Sequence, residues 1–159
     1  MKKRSIQTTI EIGITILAII IGIFLIVKYN VNDLKQARRA EYTLKHLNRL
    51  RVALEEYYQL TKEYPDLTRE GVKDDLKLLD YRDKNGVLIS FAEIYGRNTI
   101  PKTPENELIM SSNEVYDTSK FREGTGIGGW NYDFSGRTGE IHANLPNDIF
   151  SQNLEWNEY

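Results

Sequence analysis

The chain has 159 residues and a mass of 18.5 kDa, with 40% hydrophobic residues, 28% charged residues and a formal net charge of −2. This length accommodates one membrane segment and one small globular domain, which argues against a large enzyme. Acids exceed bases by four from residue 28 onward, which argues against a nucleic-acid surface, and without cysteine the chain has no disulfides or thiolate metal sites.

A basic N-terminus precedes an apolar run. Positions 2–4 are Lys, Lys and Arg, and residues 12–27 contain no charged side chain. As an α-helix this run would span ~24 Å of a hydrocarbon core ~30 Å thick, and the flanking Lys28 and Tyr29 suit the membrane interface. Residues 28–42 lack a convincing small-residue cleavage site of the kind that ends a secretory signal. The sequence therefore predicts a retained transmembrane helix whose basic end lies in the cytoplasm.

One acid, Glu11, stands at the entrance of this apolar run. A carboxylate that enters hydrocarbon without a partner is costly, so an acid in this position is a functional-site hypothesis by default. The question for Glu11 is therefore which cation pairs with it.

An amphipathic helical pattern follows the apolar run. Its apolar residues recur at steps of three and four and form one stripe that can pack on a sheet or another helix. The stripe consists of Ala37, Ala40, Leu44, Leu47, Leu50, Leu54 and Tyr57. No proline occurs before Pro65, so the pattern permits one continuous helix over residues 8–61, about 80 Å long at ~1.5 Å per residue. Asn30, Asn32 and Asp33 are candidate caps, so a break at these residues is the alternative.

Turn and strand patterns replace the helical period after Pro65. Asn85 and Gly86 tolerate positive φ and predict a hairpin turn before a strand over residues 87–91. Residues 99–106 contain two prolines and predict a loop.

The clearest strand signal lies between residues 130 and 145. Apolar residues alternate with other residues on two successive stretches: Trp130, Tyr132 and Phe134, then Ile141, Ala143 and Leu145. A turn over residues 135–139 joins them, which predicts an antiparallel hairpin with one apolar face toward the helix stripe. Residues 147–159 are too mixed to assign. The predicted fold is α+β, with a long N-terminal helix packed on a small antiparallel sheet.

Several other motifs have ordinary explanations. Gly124, Gly126 and Gly129 match the dinucleotide spacing GxGxxG, but a strand pattern follows them where that motif requires a helix, so a flexible connection is favoured. His46 and His142 are far apart in sequence and make a weak metal site. Calcium is the alternative to solvated loop carboxylates for three acidic pairs: Asp74 with Asp75, Asp80 with Asp83, and Glu105 with Glu107. No spacing favours a nucleophile or a paired acid, so no cofactor and no enzymatic activity are predicted.

Three stretches resemble the type IV pilin superfamily, and especially the pseudopilins of type II secretion. KKRSIQTTIEIGITILAIIIGIF resembles the prepilin N-terminus, and ARRAEYTLKHLNRLRVALEEYYQLTKEYP resembles the amphipathic half of the pilin helix with its Tyr-Pro exit. GTGIGGWNYDFSGRTGEIHANLP resembles the pseudopilin C-terminal hairpin. The resemblance covers roughly half of the chain and implies four segments: a basic leader (1–6), a transmembrane and assembly half of the helix (7–29), its amphipathic half (30–64) and a small β head (65–159).

The resemblance also implies roles for individual residues. In the family, a dedicated peptidase removes the leader and methylates the new amine, and an acid just inside the helix pairs with the amine of a neighbouring subunit. Cleavage between Ile6 and Gln7 would place Glu11 at the family's distance from that amine. The resemblance assigns the structural hairpin to Gly128, Gly129, Trp130, Tyr132 and Gly139.

The implied function is mechanical polymerisation with other pilin-like subunits for secretion, adhesion or DNA uptake. Such a subunit enters the bacterial inner membrane once, with its head outside the cytoplasm, and works with a prepilin peptidase and an assembly machinery. The chain departs from the family at Ile6, where the leader normally ends in glycine, and at Gln7, where phenylalanine or methionine is usual. The alternative is therefore an uncleaved single-span membrane protein whose outer domain binds a ligand or partner.

Overall fold

In the computed structural model, the backbone of residues 2–159 and the side chains of residues 13–159 are described. Helix α1 (Lys2–Thr61) is 60 residues long and passes through Asn30, Asn32 and Asp33 without a break. It ends where Lys62 adopts a left-handed conformation with a φ of 64°, shortly before Pro65. One continuous helix is therefore present, because polar residues alone do not interrupt a helix without proline.

Contacts divide the chain into two units, one ending at Arg38 and the other covering residues 39–159. In the first unit, the apolar side chains of residues 14–27 are exposed. A single helix in isolation has no second element to cover such side chains.

The second unit has a hydrophobic core built around the C-terminal part of α1. That part buries Ala40, Leu47, Leu50, Leu54 and Tyr57, which are most of the predicted stripe. The rest of the core includes Leu67, Val72, Leu76, Phe91, Tyr95, Ile100, Trp130, Tyr132, Ile141, Phe150 and Trp156. The amphipathic pattern thus forms the core contact that the sequence predicts, and the fold is a long helix on small sheets.

Two small sheets accompany the helix in the described residues. Strands β1 (Tyr81–Arg82) and β2 (Leu88–Ile89) form an antiparallel hairpin, and β3 (Val115–Asp117), β4 (Trp130–Tyr132) and β5 (Ile141–Ala143) form a three-stranded sheet in that order. Trp130 lies opposite Ala143, and Tyr132 opposite Ile141.

The prediction of a purely antiparallel sheet was wrong, because β3 runs parallel to β4. A parallel neighbour requires a crossover of about a dozen residues, and residues 118–129 supply one. This crossover includes a short 3-10 helix, Phe121–Glu123, and a glycine-rich loop. Because β3 is only three residues long, it leaves no alternating pattern in the sequence.

The predicted turn at Asn85 and Gly86 is present, with a φ of 78° at Gly86. The side chain of Asp83 holds this turn by accepting hydrogen bonds from the N–H groups of Asn85 and Val87, at 2.9 and 2.8 Å. The strand over residues 87–91 was predicted too long, because the hydroxyl of Ser90 caps a short helix, α2 (Phe91–Tyr95).

Candidate functional site

The predicted processing site and assembly acid lie in the first turns of α1. The side chains of Ile6, Gln7 and Glu11 are outside the described side chains, so their roles stay predictions. The side chains of α1 are described from residue 13 onward.

The apolar run is the largest exposed apolar surface among the described side chains. Ile14, Leu17, Ile20 and Phe24 are each more than half exposed, and Val27 marks its end. By length and composition, the described part of α1 contains a window that could cross a membrane, and none of that window is buried. Soluble proteins rarely expose apolar surface of this extent, and an apolar helix near an N-terminus is typical of a membrane anchor or of a signal sequence.

Gly128 and Gly129 immediately precede β4, and their φ values are 99° and 83°. A Cβ on Gly129 would lie 2.4 Å from the carbonyl oxygen of Glu114 on the neighbouring segment. The N–H of Gly129 donates to the Thr103 hydroxyl at 2.9 Å. These two glycines therefore let the crossover approach β3 closely enough for pairing.

Trp130 and Tyr132 anchor the hairpin of β4 and β5 in the core. Both side chains are fully buried. The Nε1–H of Trp130 donates to the carbonyl oxygen of Pro101 at 2.7 Å. The hydroxyl of Tyr132 donates to the carbonyl oxygen of Pro65 at 2.9 Å. Burial raises the pKa of Tyr132, so this hydroxyl stays a donor in neutral solution.

Gly139 fits under an aromatic ring at the turn of the same hairpin. Its φ is 68°, and a Cβ there would lie 2.3 Å from the ring of Tyr64. The ring of Tyr64 also stacks on that of Tyr58, with 4.6 Å between ring centroids. The turn after β4 is thereby fastened to the residues that end α1.

The polar side chains of the hairpin are also buried. The sequence predicted only that its apolar face would be covered. Asn131 and Asp133 are 2% and 3% exposed. Asp133 accepts hydrogen bonds from the N–H of Gly136 at 2.8 Å and from the Thr138 hydroxyl at 2.6 Å. These bonds satisfy the carboxylate, so both faces of β4 can be covered.

Asn144 organises the glycine-rich loop that matched GxGxxG. Its Oδ1 accepts from the N–H of Gly126 at 2.9 Å, and its Nδ2 donates to the Thr125 hydroxyl at 2.8 Å and to the carbonyl oxygen of Gly128 at 3.1 Å. Strand β4 follows the loop, which is the wrong context for a dinucleotide site. Sequence reasoning missed this role of Asn144, because its partners lie 16–19 positions earlier.

Asp117 lies at the end of β3 and stabilises the loop between β4 and β5 by accepting hydrogen bonds from it. Burial opposes its ionisation, but hydrogen bonds from the Ser135 hydroxyl and from the N–H groups of Ser135 and Phe134 outweigh this and lower its pKa. The structure thus gives this carboxylate a role in holding the loop.

Three exposed basic residues lie around His46: Lys45 and Arg49 of α1, and Arg97 after α2. We call them the cation cluster. Burial lowers the pKa of His46, and these charges lower it further. The guanidinium carbon of Arg49 lies 5.4 Å from the ring centroid of Tyr95, and the ring of Tyr42 contacts that of His46. The nearby Tyr95 hydroxyl and His46 Nδ1 are buried without a hydrogen-bond partner. The spacing of Lys45 and Arg49 was visible in the sequence, but the approach of Arg97 was not.

Within residues 13–159, no group of three His, Asp or Glu side chains is placed to hold a metal ion. Three of the acids weighed for calcium have other partners: Asp75 caps a 3-10 helix, Leu76–Leu79, Asp74 accepts from Asn113 at 3.0 Å, and Asp83 holds the turn before β2. His142 contacts Glu140 at 2.8 Å.

A cleft of about 570 Å³ is lined in part by Ser119, Glu140 and His142. A second cleft, of about 600 Å³, lies beside the end of α1. Its lining residues are Tyr58, Lys62, Glu63, Tyr64, Phe134, Ser135 and Arg137. Its serine hydroxyl, on Ser135, donates to Asp117. No histidine lines this cleft to act as its general base.

Comparison with protein-family models, with curated proteins and with solved structures gave no match.

Proposed function

We propose that this protein is a structural subunit of a type IV pilus or of a type II secretion-like pseudopilus, and that it polymerises through α1. The observation that carries the proposal is the difference in side-chain exposure between the two ends of α1. Residues 14–27 expose their apolar side chains, whereas Leu47, Leu50 and Leu54 bury theirs in the head core. One end of the helix thus holds the head, and the other end offers an apolar surface for lipid or for sister helices.

The order of features supports the same class. A basic start, an acid at the mouth of an apolar run, an amphipathic helix and a Gly-Gly-Trp hairpin resemble the order in pilins and pseudopilins. The hairpin is held by Trp130 and Tyr132 in the core and by Gly139 under Tyr64. In this proposal, the subunit resides in the bacterial inner membrane with its head outside the cytoplasm until assembly moves it into the filament.

Glu11 supplies the specificity of assembly in this proposal. A carboxylate near the apolar run is costly alone, and so is the amine of a second subunit, but the pair relieves both penalties. Pairing therefore favours one axial register of neighbouring helices, and removing one partner leaves an uncompensated charge.

The test replaces Glu11 with Ala in the full chain. We expect the variant to enter the membrane normally, because the change makes the apolar run longer, but to form markedly fewer filaments. Membrane fractionation measures the first effect, and chemical crosslinking with electron microscopy of sheared filaments measures the second. Glu107→Ala, at an exposed loop position, is the matched control. Normal filament yield from the Glu11 variant would contradict the assigned role.

Mass spectrometry of the native N-terminus separates the proposal from its alternative. An N-methylated Gln7 supports a processed pilin-like subunit. An intact start at Met1 supports an uncleaved single-span protein whose head binds a ligand or partner, which is the alternative that Ile6 favours.

A further inference from the structure

The cation cluster combines basic side chains of α1 with one from the segment after α2. Lys45 and Arg49 are exposed and four residues apart, so they lie on one face of α1, and Arg97 directly follows Gly96, the residue that caps α2. Gly96 has a φ of 72°, and a Cβ there would lie 2.7 Å from Nη2 of Arg49. Because Gly96 has no side chain, the Arg49 guanidinium can pack beside the backbone that carries Arg97.

The charges of the cluster are not neutralised by ion pairs within residues 13–159. Glu41 lies four residues before Lys45, a spacing that favours an ion pair on a helix. In the part of the chain whose side chains are described, however, no carboxylate lies within ion-pair distance of the cluster. A bound anion would therefore relieve the repulsion among the three cations.

Two buried polar groups lie next to the cluster. Tyr95 is 1% exposed and His46 is 5% exposed, and among the described residues neither the Tyr95 hydroxyl nor His46 Nδ1 has a hydrogen-bond partner. The guanidinium carbon of Arg49 lies 5.4 Å from the centroid of the Tyr95 ring. Burial raises the pKa of Tyr95 to about 12 against the opposing charges of Arg97 and Arg49, so the hydroxyl stays protonated and can donate. Since buried polar groups normally have a partner, this unpaired donor beside two guanidinium groups points to a ligand with acceptor oxygens.

This set of donors fits a phosphate group better than a carboxylate. One arginine satisfies a carboxylate through two parallel hydrogen bonds. Here two arginines and one lysine come from two segments, and a phenolic donor adjoins them. A phosphate group offers more acceptor oxygens than a carboxylate, and the planar fork of arginine matches their geometry.

We propose that the cation cluster binds a phosphate group, and that the Tyr95 hydroxyl donates a hydrogen bond to one of its oxygens. In this arrangement the exposed Arg49 side chain turns from the Tyr95 ring toward the phosphate, which opens the hydroxyl to it. A soluble phosphate ester and a lipid headgroup present the same chemistry. The site is independent of the assembly role proposed for α1, so its test does not depend on filaments.

Thermal unfolding of the full chain in an uncharged detergent tests binding, with inorganic phosphate as the probe. A ligand that binds the folded chain alone raises the unfolding midpoint, and the dependence on ligand concentration gives the dissociation constant. We expect phosphate to raise the midpoint more than acetate at the same ionic strength. Equal effects of phosphate and acetate would overturn the inference.

Substitution of single cations tests whether the cluster is the place of binding. We expect Arg49→Gln and Arg97→Gln each to raise the dissociation constant for phosphate about five- to tenfold, because each removes a charge-assisted hydrogen bond. Lys84→Gln is the matched control, since it removes one positive charge at an exposed position in the turn between β1 and β2. Equal dissociation constants for Arg97→Gln and Lys84→Gln would overturn the assignment.

Tyr95→Phe separates ligand binding from a structural role of the hydroxyl. We expect phosphate to bind this variant about threefold more weakly, while its midpoint in chloride does not fall, because the hydroxyl has no partner within the described residues. Tyr132→Phe should do the opposite, since the Tyr132 hydroxyl donates to the carbonyl oxygen of Pro65. A Tyr95→Phe variant with unchanged affinity for phosphate would contradict the role of this hydroxyl.

Protection of arginine from phenylglyoxal, read by mass spectrometry at Arg97, distinguishes the two sources of phosphate. The full chain is placed in phosphatidylcholine vesicles that contain either phosphatidic acid or the same charge of oleic acid. Protection by phosphatidic acid alone supports a lipid headgroup as the ligand. Protection by added inorganic phosphate, and by neither lipid, supports a soluble phosphate ester. Equal protection by the two lipids would mean that the cluster responds to charge and not to phosphate, and would overturn the inference.

Discussion

At the scale of single residues, Gly139 shows how the absence of a side chain allows the hairpin to pack against Tyr64. Its left-handed backbone and the ring of Tyr64 leave no room for a Cβ. Gly86 has a similar φ of 78°, but no atom lies within 4 Å of the place where its Cβ would be. The two glycines therefore separate backbone strain from steric exclusion.

We expect Gly86→Ala to cost roughly 1–2 kcal/mol of unfolding free energy, which is the left-handed backbone penalty alone. Gly139→Ala should cost about 1–3 kcal/mol more, because the added methyl overlaps the Tyr64 ring. Urea unfolding of the full chain in detergent, followed by the fluorescence of the buried Trp156, measures both. In a Tyr64→Ala background the two glycine substitutions should cost the same; an undiminished excess at position 139 would refute the steric explanation.

The sequence predicted a turn at residues 135–139 but not the contact of Gly139 with Tyr64. Turn chemistry is local and can be read from neighbouring residues, whereas this contact joins positions 75 apart. The contacts of Asn144 and of the cation cluster could not be predicted from the sequence for the same reason, because the residues involved come together only after folding.

At the scale of elements, periodicity explains what could be predicted. The stripe from Ala40 to Tyr57 has a strong 3.6-residue period, and α1 buries it as expected. The short elements β3 and α2 have three and five residues, too few to show any period. Tertiary contacts form them, so a parallel strand appeared where only an antiparallel hairpin was expected.

The hairpin of β4 and β5 provides the prediction at this scale. Trp130→Ala should cost about 3–5 kcal/mol of unfolding free energy, because the side chain is fully buried and its Nε1–H donates to Pro101. Trp130→Phe should cost less, since the ring still fills most of the site. The same urea titration compares them with Ile127→Ala at a half-exposed neighbouring position; Trp156 supplies the fluorescence in the Trp130 variants, and both tryptophans supply it in the control. Equal midpoints for Trp130→Ala and Ile127→Ala would contradict the anchoring role.

At the scale of the whole molecule, composition and exposure together predict where the chain resides. The first unit presents an apolar surface, and from residue 28 onward the chain is acidic overall. Water is a poor solvent for the apolar surface of the first unit and a good solvent for the acidic part of the chain. We therefore predict an apolar environment for the N-terminal helix and an aqueous one for the head.

A charge in the middle of the apolar run tests this conclusion. Ile20 is 57% exposed, and Ile20→Lys places an ammonium near the centre of the predicted span, at a cost of about 2.5–3.5 kcal/mol on insertion. We expect this variant to shift from the alkali-resistant membrane fraction to the soluble or degraded fraction. Leu108→Lys is the matched control, because Leu108 is 80% exposed but lies in the head. Since exposure alone cannot distinguish the two positions, an effect at Ile20 and none at Leu108 would identify hydrocarbon as the environment of the helix. Equal behaviour of the two variants would contradict the placement of Ile20 in hydrocarbon.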